Sequence, residues 1–196
     1  MRSKFAKLLF YIALILVCVV AAYFLANWLF TTVPIEGPSM EPTIHDGDTV
    51  ILYKQGKYER GDIVIFNTHK LDPDGKERYY VKRIIALGGD TVEIKADSDG
   101  IYRIYVNGEA VDEPYLGEGI PSARAVDASA LVTVPEGQFY FCGDNRLNSE
   151  DSRSGLLCNV DDIVGRVILR YVQDDGIGDI SLIKRPYAVE SVFVAA

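Results

Sequence analysis

Histidine is scarce in this chain of 196 residues: His45 and His69 are the whole complement, and neither sits in an HExxH pattern or a Cys/His cluster. A catalytic zinc site needs three protein ligands brought together. That chemistry is therefore not expected, and no metal or cofactor is called for. Cysteine is nearly as rare, with Cys18, Cys142 and Cys158 only. Cys142 and Cys158 could pair in an oxidising compartment, but two cysteines are no disulfide framework, and buried free thiols are the expectation. Basic charge is short as well. The net charge of −8 argues against a nucleic-acid partner, because phosphate recognition needs a cationic surface. Beyond residue 30 no segment carries a long helical period.

The charge that is present is unevenly placed. Residues 1–30 hold Arg2, Lys4 and Lys7 and no acid, which leaves 17 basic residues against all 28 acidic ones in the remainder. Leu8 to Phe30 is an uncharged apolar run, LLFYIALILVCVVAAYFLANWLF. As a helix rising about 1.5 Å per residue it would cross a hydrocarbon core of roughly 30 Å. Tyr11 and Trp28 suit the two interfaces, and the positive-inside rule places residue 1 in the cytoplasm. A cleaved secretory signal is the competing reading. Its small-residue site would have to be Val20-Ala21-Ala22, which lies inside the run, so an uncleaved anchor is expected. The organisation is thus a basic leader (1–7), a transmembrane helix in the plasma membrane (8–30) and an extracytoplasmic domain (31–196).

That domain reads as strands and turns, an all-β fold rich in Tyr, Phe, Val, Ile and Gly. Strands are expected at Thr31–Ile35, Thr49–Tyr53, Asp62–Asn67, Arg78–Ala86, Thr91–Lys95, Tyr102–Val106, Leu131–Val134, Gln138–Cys142 and Ile163–Val172. Asp72-Pro73-Asp74-Gly75 and Asn107-Gly108 are turn signals, the second of the tight hairpin type. Asp97-Ser98-Asp99-Gly100 lacks the remaining ligands of a calcium loop and reads as a turn. Residues 112–130 mix Pro, Gly, Ala and Ser without a period and suggest a long surface excursion.

A serine becomes a nucleophile only beside a base. Nothing marks His45 or His69 for that role. A lysine can serve if it is neutral, and desolvation is the physical route to neutrality. Lys82 lies within Tyr79-Tyr80-Val81-Lys82-Arg83-Ile84-Ile85, where alternation puts it on one face with Tyr80 and Ile84 and leaves Arg83 opposite. By pattern alone this is suggestive only, since lysines at strand edges are common.

Four segments in order sharpen it. Gly37-Pro38-Ser39-Met40-Glu41-Pro42-Thr43 resembles the nucleophile box of type I signal peptidases, and Arg60-Gly61-Asp62-Ile63-Val64-Ile65-Phe66 resembles a further block of theirs. Tyr80 to Asp90 (YVKRIIALGGD) is similar to the block that carries their base, and Gly143 to Arg153 (GDNRLNSEDSR) to their last block. Lysine at position 82 resembles the bacterial branch. The large inserted domain of some relatives is absent, Gly88 replaces a frequent proline, and Ser154-Gly155 follows the last arginine where relatives often have an aromatic residue and then glycine.

The resemblance implies a membrane-bound serine endopeptidase of antiparallel sheets that removes signal peptides from preproteins after small residues. Ser39 would attack and Lys82 would take its proton. Ser149 would orient the lysine amine, and Asp144, Arg146, Asp151 and Arg153 would form a charged scaffold. The Ser39 N–H would contribute to an oxyanion hole in which Gly37 stands where some relatives carry a serine, so that one side-chain donor is missing. Ile35, Met40, Tyr80 and Val81 would contact the substrate, an extended strand lying between residues 31–37 and 78–81. Val194-Ala195-Ala196 looks like the end of a cleaved signal peptide, although an ordinary tail is the expectation. Two other classes are weighed against this one: a self-cleaving repressor, which should carry a DNA-binding module in place of an anchor, and a non-catalytic anchored β module, which would not explain four ordered blocks.

Overall fold

The computed structural model describes residues 2–172, 179–183 and 185–186; the tail at 191–196 lies outside the described residues. A single long helix, α1 (Arg2–Leu29), leads into strand β1 (Phe30–Pro34) with no intervening loop. From Lys4 to Trp28 every side chain of α1 is exposed, and an 18-residue stretch within residues 4–29 has a mean hydropathy of 2.9, high enough for a membrane span. A helix apolar all round and packed against nothing is one whose surroundings must themselves be apolar. Its last turn is capped from β2 (Thr49–Tyr53): Lys54 N–H donates to Leu29 O at 2.8 Å, and Lys54 Nζ donates to Asn27 O. The apolar run ends one residue earlier than expected, because Phe30 already pairs with Tyr53.

The remaining strands are β3 (Ile63–Leu71), β4 (Glu77–Leu87), β5 (Thr91–Ala96), β6 (Tyr102–Val106), β7 (Glu109–Ala110), β8 (Ser129–Thr133), β9 (Gln138–Cys142), β10 (Cys158–Asn159), β11 (Ile163–Val172) and β12 (Asp179–Leu182). Two antiparallel sheets result. The larger runs β1-β2-β11-β3-β4-β9-β10, with β12 on β11, and the smaller runs β7-β6-β5-β8. Four strands fall at their expected bounds (β2, β6, β9, β11), and the fold is all-β as expected. β3 runs on to Leu71, past a break in its pairing with β4 where His69 takes a φ of 54°. β8 begins two residues early, and β7, β10 and β12 are too short or too polar to carry a pattern.

Period-two alternation sorts the apolar residues into separate cores. Ile63, Ile65 and Val81 face one way, with Val50, Leu52 and Val167. Val64, Phe66, Ile84, Phe139 and Phe141 face the other. The smaller sheet closes over Ile85, Ala86, Tyr140 and Cys142 with Val92, Ile94, Ile104 and Val106. Cys142 and Cys158 are free thiols, the first buried and the second half-buried.

Residues 112–130 are more than a surface excursion. Ala123 and Asp127 are buried, and Arg146 Nη1 and Nη2 donate to Glu113 while Nη1 also reaches Ser122 O. The segment is strapped to the body by ion pairs that no local pattern announces.

Phe66 packs edge-on to Phe139 at 5.0 Å between ring centroids and lies 4.8 Å from Phe141, on the strand paired with the one that carries Lys82. Phe66→Ala should cost about 3–5 kcal/mol by leaving a cavity there, measured by denaturant unfolding of the solubilised protein.

Candidate active site

The loop that carries Ser39, between β1 and β2, is closed by its own backbone hydrogen bonds. Ile35 N–H donates to Asp48 O at 2.8 Å, Gly47 N–H to Ile35 O at 3.0 Å and Ile44 N–H to Met40 O at 3.0 Å. Gly37 has φ 91°, a region that favours glycine, and its N–H donates to Asp46 Oδ1 at 2.8 Å. A serine at 37 would be strained there, which gives a backbone reason for the missing side-chain donor. Ile35 and Met40 turn inward from this loop and are 3% and 0% exposed. They pack into the core beneath Ser39 and, unlike the expected contact residues Tyr80 and Val81, are not part of the cleft lining. Tyr80 and Val81 do line the cleft.

The loop is docked from behind by the segment after β9. Asn145 N–H donates to Ser39 O at 3.1 Å, and Asn145 Nδ2 donates to Pro38 O at 3.0 Å. Gly143 sits so close that a Cβ placed there would collide with Ser39 O and Ser149 Oγ. Thr43 Oγ1 donates to Asp144 Oδ2 at 2.5 Å, and the same carboxylate receives Arg83 Nε at 2.8 Å and Nη2 at 2.6 Å. Arg83 Nη1 continues to Gly61 O at 2.8 Å. The neighbouring charges form a second lattice. Arg153 forks onto Asp151 at 2.8 and 2.9 Å and reaches Asp127 at 3.2 Å, while Asp151 accepts from Gly143 N–H at 3.1 Å. Arg146 Nε donates to Gly143 O at 3.0 Å. Asp144, Arg146, Asp151 and Arg153 are thus joined to one another's segments by charge-assisted hydrogen bonds around Gly143 and Ser39.

Lys82 Nζ lies 2.7 Å from Ser39 Oγ and 3.0 Å from Val81 O. The lysine is 4% exposed, with Val64 as its cross-strand neighbour. Desolvation brings its pKa down from an ordinary 10.5 to about 8, against smaller opposing pulls from Asp151, Cys142, Glu150 and Asp144. The Tyr80 ring, 5.1 Å from the amine, would by itself favour the cation by about 0.5–1 kcal/mol. Each pKa unit is worth about 1.4 kcal/mol, so burial outweighs the ring's attraction and the neutral amine becomes accessible near physiological pH.

Ser149 departs from its expected role. Its Oγ is buried against Gly143 and makes no hydrogen bond among the described residues. The contacts of the amine are instead Ser39 and Val81. Sequence reasoning also passed over Arg83, Asn145, Thr43, Glu113 and Asp127. Arg83 and Asn145 stand inside the quoted blocks and could have been weighed there. Glu113 and Asp127 carry no sequence signal.

An open cleft of about 490 Å³ runs past the pair, lined on one side by Glu36, Gly37 and Ser39 and on the other by Glu77 to Lys82, with Asp72 and Glu150 at its rim. β4 pairs with β3 through Tyr79, Tyr80 and Val81, but its pairing with β9 starts only at Arg83. The other edge of β4 is therefore open along the cleft.

A buried amine with a lowered pKa is a stability cost at neutral pH. The unfolded chain holds its proton up to about 10.5 and the folded chain only to about 8, so stability rises with pH between those values and the full penalty applies below 8. Lys82→Met should accordingly raise stability at pH 7 by on the order of 2 kcal/mol, an advantage that shrinks toward pH 10; thermal unfolding at both pH values measures it. Gly143→Ala should abolish activity by displacing Ser39.

A profile of the family described as signal peptidase, peptidase S26, matches residues 8–172. A signal peptidase I of Bacillus licheniformis is 42% identical over 163 residues, covering 79% of this chain and 82% of its own. The signal peptidase IB of Staphylococcus aureus is 35% identical over 182 residues, covering 84% and 90%. The crystal structure of a signal peptidase I from Enterococcus faecalis overlaps 57% of this chain and 97% of its own at 28% identity, with a TM-score of 0.42. With a family profile spanning both the apolar helix and the sheet that carries Ser39 and Lys82, the chain belongs to the signal peptidases of peptidase family S26.

Proposed function

We propose that this protein is a membrane-anchored endopeptidase that cleaves signal peptides from preproteins with a Ser39/Lys82 dyad. The observation that carries the reading is the 2.7 Å approach of a buried lysine amine, with its pKa near 8, to Ser39 Oγ. Neutral Lys82 takes the proton of Ser39 as Oγ attacks the scissile carbonyl carbon. The resulting ammonium then protonates the departing amine, leaving an acyl ester on Ser39. Lys82, neutral again, deprotonates the water that hydrolyses this ester. The Ser39 N–H meets no acceptor among the described residues and is free to bind the oxyanion.

The open edge of β4 at residues 78–81 supports a substrate bound as an added strand, its other side against the segment ending at Gly37. Tyr80 and Val81 then bound shallow pockets that admit small residues before the cut. In the lipid bilayer α1 is the anchor, with Arg2, Lys4 and Lys7 on the cytoplasmic side and the sheets outside. The basic leader, anchor and catalytic domain of the sequence reading follow this division.

The test is cleavage of a preprotein by the detergent-solubilised full chain. Ser39→Ala, Lys82→Ala and Lys82→Arg should each reduce processing at least a thousandfold, the last because its charge cannot be shed. For the native protein kcat/KM should fall about tenfold per pH unit below about 8 as Lys82 becomes charged. Cleavage persisting in purified Ser39→Ala or Lys82→Ala overturns the dyad.

A further inference from the structure

Glu150 is absent from the dyad and from the arginine lattice, yet its carboxylate joins two side chains at the cleft rim that come from different strands. Its Oε2 accepts from the Tyr80 hydroxyl at 2.7 Å and its Oε1 from Lys70 Nζ at 2.7 Å. Three elements meet on this one carboxylate: the end of β3, which brings Lys70 past the break at His69; β4, which brings Tyr80; and the loop that also presents Ser149 and Asp151. The Tyr80 ring lines the cleft beside Lys82, 5.1 Å from the amine, and packs edge-on against Phe66 at 6.2 Å. The ring is thus held at its edge by Glu150 and packed against the core. Its hydroxyl is hydrogen-bonded to Glu150, and the Arg78 and Lys70 cations lie over the ring at 5.6 and 6.0 Å from its centroid.

We propose that Lys70, Glu150 and the Tyr80 hydroxyl form a clasp in which Glu150 is a positioning residue: it fixes the Tyr80 ring as the wall of the cleft and as the shield that keeps water from Lys82. The inference rests on the proposed function, since the shielded amine is the base of the dyad. Other titratable groups facing Lys82 are Asp151, Asp144 and the Cys142 thiol, the last kept neutral by burial, all more deeply buried than Glu150 and none bonded to the ring. The clasp is also separable from the scaffold, because Glu150 makes no contact with Arg83, Arg146 or Arg153 among the described hydrogen bonds.

Glu150 acts on the amine in two opposite senses. Its charge, through space, favours the ammonium; its hold on the ring, by excluding water, disfavours it. Substitution separates the two. Glu150→Gln removes the charge but keeps an oxygen that can accept from Tyr80, whereas Glu150→Ala removes both. Tyr80→Phe keeps the charge and the ring and removes only the tether.

The experiment follows kcat/KM against pH for the solubilised full chain and, in parallel, the 13Cε shift of Lys82 in lysine-labelled protein, which reads the amine without turnover. The midpoint for Glu150→Ala should lie at least half a pH unit above that for Glu150→Gln, and Tyr80→Phe should lie above the native protein. At pH 7 Glu150→Ala should then be at least threefold slower than Glu150→Gln, the two converging above pH 9. A purely structural role would lower activity equally at all pH and leave the midpoints unmoved. Coincident midpoints for Glu150→Ala and Glu150→Gln overturn the clasp. Shifted 13Cε midpoints in a protein that cleaves no preprotein would instead uphold the clasp and remove the proposed function.

Discussion

The bidentate ion pair between Arg83 and Asp144 is the contact on which the site depends. Arg83 directly follows Lys82 on β4, and Asp144 lies in the loop that backs Ser39. The two side chains are 2% and 0% exposed. Such a pair contributes little net stability after desolvation, but losing one partner strands a buried charge at a cost of several kcal/mol. Its value here is geometric. Asp144 also receives Thr43 from the loop of Ser39, so one carboxylate ties the strand of Lys82 to that loop. The distance between Lys82 and Ser39 is the outcome.

Around that tie the fold separates two kinds of burial. Arg83, Arg146 and Arg153 are buried with carboxylate partners at hydrogen-bond distance and stay charged. Lys82, on the opposite face of the same strand from Arg83, is buried beside Val64 and Tyr80 with only a hydroxyl and a carbonyl for company. One residue of offset along β4 thus decides between a permanent cation and a titratable base. The alternation of a β-strand is sufficient to produce that difference.

That alternation is why much of the architecture was legible beforehand. β2, β6, β9 and β11 each carry apolar runs bounded by turn residues, and their ends match. Ser39 and Lys82 were legible only as parts of quoted blocks. A lone serine after Gly-Pro and a lone lysine in a strand say nothing until the fold brings them together. What stayed hidden depends on contacts distant in sequence. Glu113 pairs with Arg146 across 33 positions, and Ile35 and Met40 point inward because of a loop closed by hydrogen bonds that no period encodes. Ser149 shows the other limit: a motif can name a residue correctly while the contact assigned to it is not the one the side chain makes.

The direct junction of α1 and β1 has a mechanical meaning. Leu29 ends the helix and Phe30 opens the strand, and Lys54 fastens the joint through Leu29 O. β1 is five residues long and paired along its whole length, so it spans about 17 Å at the rise of a strand. With α1 seated in a bilayer, Ser39 stands at a set height on a stiff post instead of swinging on a tether. The length of one strand then sets the distance between the end of the apolar helix and the cleft that holds Ser39.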